Sequence, residues 1–134
     1  MNFSTFFKIN PNASAQLREA YEQVLLLFAS IKTHPDKWSV SIQPVAPDEA
    51  QYQAAFFGLQ RLFKHNCPAP SLMLLNDGVI GAYWRQKEHY ASLDFDSQGA
   101  YSWVVSNQVD VTGNTWKDDE LPVELSEFFA KITH

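Results

Sequence analysis

Apolar positions recur at three- and four-residue steps from Ala13 to Thr33. Leu17, Ala20, Tyr21, Val24, Leu25, Leu27, Phe28 and Ile31 share the stripe, which predicts an amphipathic helix. Asn12 or Ser14 can cap it by accepting a hydrogen bond from an otherwise unpaired backbone N–H. His34-Pro35 ends it, because the residue before proline is pushed out of helical geometry. Trp38–Ile42 alternates apolar and polar, but Pro44 follows and would confine a strand to an edge, so the stretch reads as an extended loop. A second helix opens at Pro47-Asp48-Glu49, with proline at the first helical position and acids in the first turn. Its stripe of Tyr52, Ala55, Phe56, Leu59, Leu62 and Phe63 runs to His65. Gly58 inside that stripe costs about 1 kcal/mol relative to alanine, and its use is close approach to another element.

After Cys67-Pro68-Ala69-Pro70 the period changes from helical to alternating. Ser71–Leu75 is a short apolar run, Asn76-Asp77-Gly78 a hairpin turn, and Val79–Arg85 the return strand. His89–Asp96 puts Ala91, Leu93 and Phe95 on one face and Tyr90, Ser92 and Asp94 on the other. Ser97-Gln98-Gly99 turns the chain into Ala100–Ser106, with Tyr101, Trp103 and Val105 on one side. Val109 and Val111 mark a weaker segment that extends the series. A last helix from Pro122 to Ile132 aligns Leu121, Leu125, Phe128, Phe129 and Ile132. Neither a sheet nor a helix can leave its apolar side in water. The predicted architecture is therefore α+β: two N-terminal helices and a C-terminal helix packed on one face of a four- to five-stranded antiparallel meander.

Length and composition narrow the picture. The 134 residues make one domain, 1–134, with 46% apolar and 14% aromatic residues. A single cysteine, Cys67, cannot form an internal bridge, which points to a cytoplasmic protein. The longest apolar run, Val24–Ala29, falls far short of the roughly 20 residues a membrane span needs. The first residues, MNFSTFFKIN, lack the basic and apolar regions of a secretory signal. Net charge is −5, and its distribution is uneven: residues 1–87 balance to +2 and residues 88–134 to −7. Phosphate backbones are repelled by such a surface, so nucleic acid is not an expected partner. The densest acidic run, Asp118-Asp119-Glu120, reads as a solvated loop before a helix N-terminus, where carboxylates are favoured.

Trp38, the proline-flanked stretch Pro44–Pro47, the helix with Ala54-Ala55, Pro70-Ser71-Leu72, Asn76-Asp77-Gly78-Val79-Ile80 and Trp84 form a further pattern. It resembles a widespread set of small bacterial proteins encoded in phages, plasmids and other mobile elements. In that family a helix, a Trp-Asp-Gly segment and a second helix precede a proline, a short strand, an Asp-Gly-Gly turn and a strand ending in tryptophan. The resemblance covers residues 15–96. This chain departs from it with Ser39-Val40 after the tryptophan and Val79 in place of the second glycine. The resemblance implies no catalytic residues; it implies cargo of a mobile element, such as a gene cassette, acting through binding.

Candidate chemistry is sparse. His34, His65, His89 and His134 fall in no metal-ligand spacing, and His65-Asn66-Cys67 offers two soft ligands where zinc takes three or four. That triplet reads instead as a helix C-terminus, with Asn66 as left-handed cap and Cys67 as a small buried hydrophobe. No metal and no cofactor is expected. The chain has five glycines and no phosphate-cradling loop or nucleophile elbow. Asp94 and Asp96 lie two apart on one strand and could pair for acid–base work, but they read better as the solvated side of an amphipathic strand running into a turn. No catalytic residue is assigned.

The aromatic positions say more. If Ile80, Ala82 and Trp84 face the helices, Tyr83 and Arg85 point outward, and Tyr90, Ser92 and Asp94 share that outer face. Tyrosine and arginine are typical anchors of protein interfaces. The alternative is a reversed register, or loops and the last helix covering this face. The leading functional reading is a non-enzymatic binding module that engages a protein partner or its own copy through the sheet, with Tyr83, Arg85, Tyr90 and Asp94 as interface residues. One alternative is a small hydrolase or transferase using Cys67, His89 and Asp94. The other is an acidic inhibitor that mimics nucleic-acid charge.

Overall fold

The computed structural model describes residues 12–38, 45–75, 77–107 and 109–132. Ser14, not Asn12, caps the first helix: its side chain accepts from the Leu17 N–H at 3.1 Å, so α1 spans Ala15–Thr33. A 3-10 turn at Pro35–Lys37 follows. Helix α2, Glu49–Lys64, begins with a reciprocal cap in which Gln51 N–H donates to Asp48 Oδ1 and Asp48 N–H to Gln51 Oε1. It ends where Asn66 takes a positive φ of 54°, the left-handed cap expected of that residue. Five strands follow, β1 (Ser71–Leu74), β2 (Ile80–Gln86), β3 (His89–Asp94), β4 (Tyr101–Ser106) and β5 (Val111–Trp116), then α3 (Val123–Ile132).

The fold is α+β, with three helices and one five-stranded antiparallel sheet in the order β1-β2-β3-β4-β5. In the first turn Gly78 has φ +90° and Asp77 Oδ1 accepts from Val79 N–H. Gln51 Nε2 also donates to the Asp77 carbonyl at 3.0 Å, which ties the start of α2 to that turn. Two strand boundaries depart from the expected pattern. β3 stops at Asp94 rather than Asp96, because after Phe95 N–H donates to the Ile80 carbonyl the chain turns and Asp96 accepts from Ser102 Oγ at 2.6 Å. β5 runs Val111–Trp116, whereas Val109 sits in the preceding turn, 86% exposed. Cross-strand pairing with β4 makes that strand, and main-chain pairing needs no apolar alternation. The expected loop at 38–42, Asn76, and the first and last residues of the chain lie wholly or partly outside the described residues.

One buried cluster joins the stripes. It holds Tyr21, Val24, Leu25, Phe28 and Ile31 of α1, Ala55, Leu59, Leu62 and Phe63 of α2, and Leu125, Phe128 and Phe129 of α3. The strands contribute Ile80, Ala82, Trp84, Ala91, Leu93, Tyr101 and Trp103. Tyr21 stacks on Phe63 at 3.9 Å and Phe28 on Tyr52 at 4.3 Å between centroids, and Trp84 meets Phe129 edge-on at 4.8 Å. Leu27, expected on the buried stripe of α1, is 45% exposed, because the stripe turns 100° per residue and Val24, Leu25 and Phe28 already fill the contact. Among the described residues no helix is long and apolar enough to cross a membrane.

Gly58 serves the close approach its position suggests. A Cβ built there would lie 2.2 Å from a carbon of the Phe95 ring, and Phe95 is fully buried. Gly58→Ala should therefore destabilise the protein by up to about 2 kcal/mol in urea unfolding, since overpacking costs about 1–3 kcal/mol against a helix-propensity gain of about 1 kcal/mol.

Candidate functional site

Sheet register decides which side chains meet on the outer face. Tyr83 pairs with Ser71 on one side and Ser92 on the other, and Arg85 pairs with Tyr90. Tyr90 is thus the diagonal neighbour of Tyr83, a spacing that aromatic side chains bridge. The two rings are stacked with centroids 6.4 Å apart and planes 28° from parallel. The Arg85 guanidinium carbon lies 4.9 Å from the Tyr90 ring centroid, a cation–π contact. Tyr83, Tyr90 and Arg85 therefore form one continuous stack across β2 and β3. Arg85 is exposed and both tyrosines are half-buried, while the alternating positions Ala82, Trp84 and Ala91 are buried.

A groove of about 310 Å³ borders this stack, lined by Pro68, Ala69, Ser71, Tyr83, Arg85 and Ile132 among others. It exists because β1 is short. β1 pairs with β2 only as far as Ser71 opposite Tyr83, while β2 continues to Gln86. Leu75 N–H donates to the Val79 carbonyl, so alternation along the ladder aims the Arg85 N–H and C=O toward the side where β1 has ended. The groove thus combines a lining more polar than apolar, Ser71 and Gln86 included, with main-chain polar groups and a cation at its rim.

Asp94, the fourth expected interface residue, lies on the same face but apart from the stack. It pairs with Gly81 and Ser102, four positions along β3 from Tyr90 and roughly 13 Å away. Burial raises its pKa above the ordinary 3.8, and the nearby charges of Asp96 and Asp77 raise it further. The acidic residues of the chain's second half are dispersed: Asp94 and Asp96 at this end, and Asp119 in an ion pair with Lys64. Asp110, Glu124 and Glu127 border a cavity of about 150 Å³ between the sheet and α3, with His89 and Lys131. Among the described residues no group of His, Cys, Asp or Glu is arranged to hold a metal ion.

Cys67, His89 and Asp94 do not converge. Cys67 is buried at the end of α2, its carbonyl accepting the Tyr21 hydroxyl, and burial pushes its thiol up to about 12. His89 falls in phase with Ala91 and Leu93, on the opposite face of β3 from Asp94. A strand separates the two because side chains five positions apart must point oppositely. The particular arrangement expected of a hydrolase, Cys67 with His89 and Asp94 in one cleft, is therefore not formed. Sequence reasoning also missed Arg61. Its guanidinium lies 4.9 Å from the Tyr101 ring centroid and 5.2 Å from that of Trp116, a contact between distant segments that no local pattern signals.

No protein-family model, curated protein or solved structure matches the chain.

Native Cys67 should stay unmodified by a thiol reagent at pH 8 for hours and react fully in urea; stoichiometric labelling of the folded protein within minutes would contradict its burial. Asp94 titrates with a definite sign. Its folded pKa is raised, so its contribution to stability is fully present below the ordinary value of 3.8 and is lost as pH rises through the folded value. Asp94→Asn should raise the thermal midpoint at pH 7 by about 1–3 °C. That gain should vanish in scans below pH 3.8, where the native carboxyl is neutral in both states.

Proposed function

We propose that this protein is a non-enzymatic binding module whose three helices cover one face of the sheet and leave the other to engage a protein partner. The stack of Tyr83, Tyr90 and Arg85 beside the 310 Å³ groove is the observation that carries this reading. Binding energy at protein interfaces concentrates in tyrosine, tryptophan and arginine that are held rigidly and partly desolvated. Here two tyrosines are fixed by each other and by strand register, so little side-chain entropy remains to be lost on association. Arg85 adds a charged fork seated over the Tyr90 ring, suited to an acidic or carbonyl-rich segment. A free, buried cysteine fits a reducing, cytoplasmic setting. From the sequence resemblance of residues 15–96 alone we further propose a role as mobile-element cargo that acts on a host component.

The test compares the protein with its Tyr83→Ala and Arg85→Ala variants as baits in a cell extract, each variant first shown to be folded by circular dichroism. A partner held by this face should be retained by the wild type and weakened at least about 30-fold by either substitution, the scale of an interface hot spot. If both variants retain the same proteins as the wild type with equal affinity, the proposed face is not the binding surface.

A further inference from the structure

Among the described residues nothing covers the outer edge of β5, and the strand itself lacks the features that keep sheet edges apart. Val111–Trp116 contains no charged residue and no proline, and every position but Trp116 is exposed. Natural edge strands are usually blunted by lysine, proline, a bulge or a covering element. Among the described residues, β4 is the one element that packs extensively along β5.

Ladder phase shows which main-chain groups face outward. Asn107 N–H donates to the Asp110 carbonyl at 3.0 Å, so residues 107 and 110 form a hydrogen-bonded pair. By alternation, Thr112, Asn114 and Trp116 bond to β4, and Val111, Gly113 and Thr115 aim their N–H and C=O away from the sheet. Thr115 N–H bears this out by taking a side-chain acceptor, Asn114 Oδ1 at 2.8 Å.

We propose that β5 pairs antiparallel with β5 of a second copy, making an isologous dimer whose sheets join into one. A two-fold axis at Gly113 sets Gly113 against its own counterpart and Val111 against the second copy's Thr115, so each outward group meets a complementary one, with Thr115 N–H exchanging Asn114 Oδ1 for the Val111 carbonyl of the second copy. The axis passes beside the residue that has no side chain, which leaves the approach of the two backbones unobstructed. Charge agrees with this pairing. The chain as a whole carries −5 and repels its copy, but the strand itself is neutral. Antiparallel alignment also carries Asp110, before one end of the strand, toward Lys117, after the other end in the second copy. The exposed valines at 104 and 111 lie next to the junction and lose apolar surface on pairing.

Analytical ultracentrifugation from about 1 to about 300 µM, a range that brackets micromolar self-association, tests the proposal together with two variants. Val111→Lys charges the edge, and Thr115→Pro removes an outward N–H that β4 does not use. The wild type should shift to twice the monomer mass as concentration rises, and each variant should weaken that shift at least 10-fold. Amide exchange gives a second readout. In the dimer the Gly113 N–H is slow, whereas in the variants it is fast while Thr112 and Asn114 stay slow, showing that β5 remains paired to β4. A wild-type monomer at the highest concentration overturns the proposal. So does a dimer that both variants leave intact, which would move self-association to another surface. Tyr83→Ala and Arg85→Ala lie off the junction and should leave the dimer unchanged, so this outcome is separable from that of partner binding.

Discussion

Everything in this molecule depends on α2 lying directly against the sheet, and that depends on Phe95 meeting bare backbone at Gly58. A Cβ at position 58 would fall 2.2 Å from the Phe95 ring, so either the ring or the helix would have to give way. With the glycine in place, the Phe95 ring fills the interface and packs edge-on against Tyr101, with centroids 5.3 Å apart. Arg61, one turn further along α2, then comes within cation–π distance of both Tyr101 and Trp116. Lys64, at the end of the same helix, reaches Asp119 in the segment leading to α3. A glycine that costs the isolated helix about 1 kcal/mol thus sets the spacing on which distant contacts rely.

The outer face follows from the inner one. Side chains on a strand alternate strictly, so burial of Ala82 and Trp84 obliges Tyr83 and Arg85 to point the other way. Burial of Ala91 and Leu93 does the same for Tyr90, Ser92 and Asp94. Core packing therefore acts as the device that places Tyr83, Arg85 and Tyr90 on the other face. Because β2 and β3 are joined by a tight turn with Lys87 at a positive φ of 56°, the register of the hairpin is fixed as well. That register is what makes Tyr83 and Tyr90 diagonal neighbours rather than independent surface residues.

The two edges of the sheet are treated differently. β1 has four residues and ends early, leaving a groove bounded by the Pro68–Pro70 segment. β5 has six residues, and its outward N–H and C=O groups carry no charged or proline guard. Short edges and proline-flanked edges resist further pairing, while a neutral edge of this length invites it.

Much of this was written in local pattern. The 3.6-residue stripes of α1 and α2, the proline and acid at the start of α2, the Asp77-Gly78 turn and the alternation in β2 through β4 each act within a few residues, so each can be read without coordinates. The outward set Tyr83, Arg85 and Tyr90 was equally legible, because period-two alternation ties it to the buried set. Tertiary structure decided the rest. β5 has no apolar period of its own and exists through pairing with β4. The stacking of Tyr83 on Tyr90 needed the hairpin register, and the placing of Cys67 in the core away from Asp94 needed the packing of α2 on the sheet. Arg61 found its aromatic partners 40 and 55 residues away. Periodicity reports which side of an element avoids water; which elements then touch is settled only when all of those sides compete for the same core.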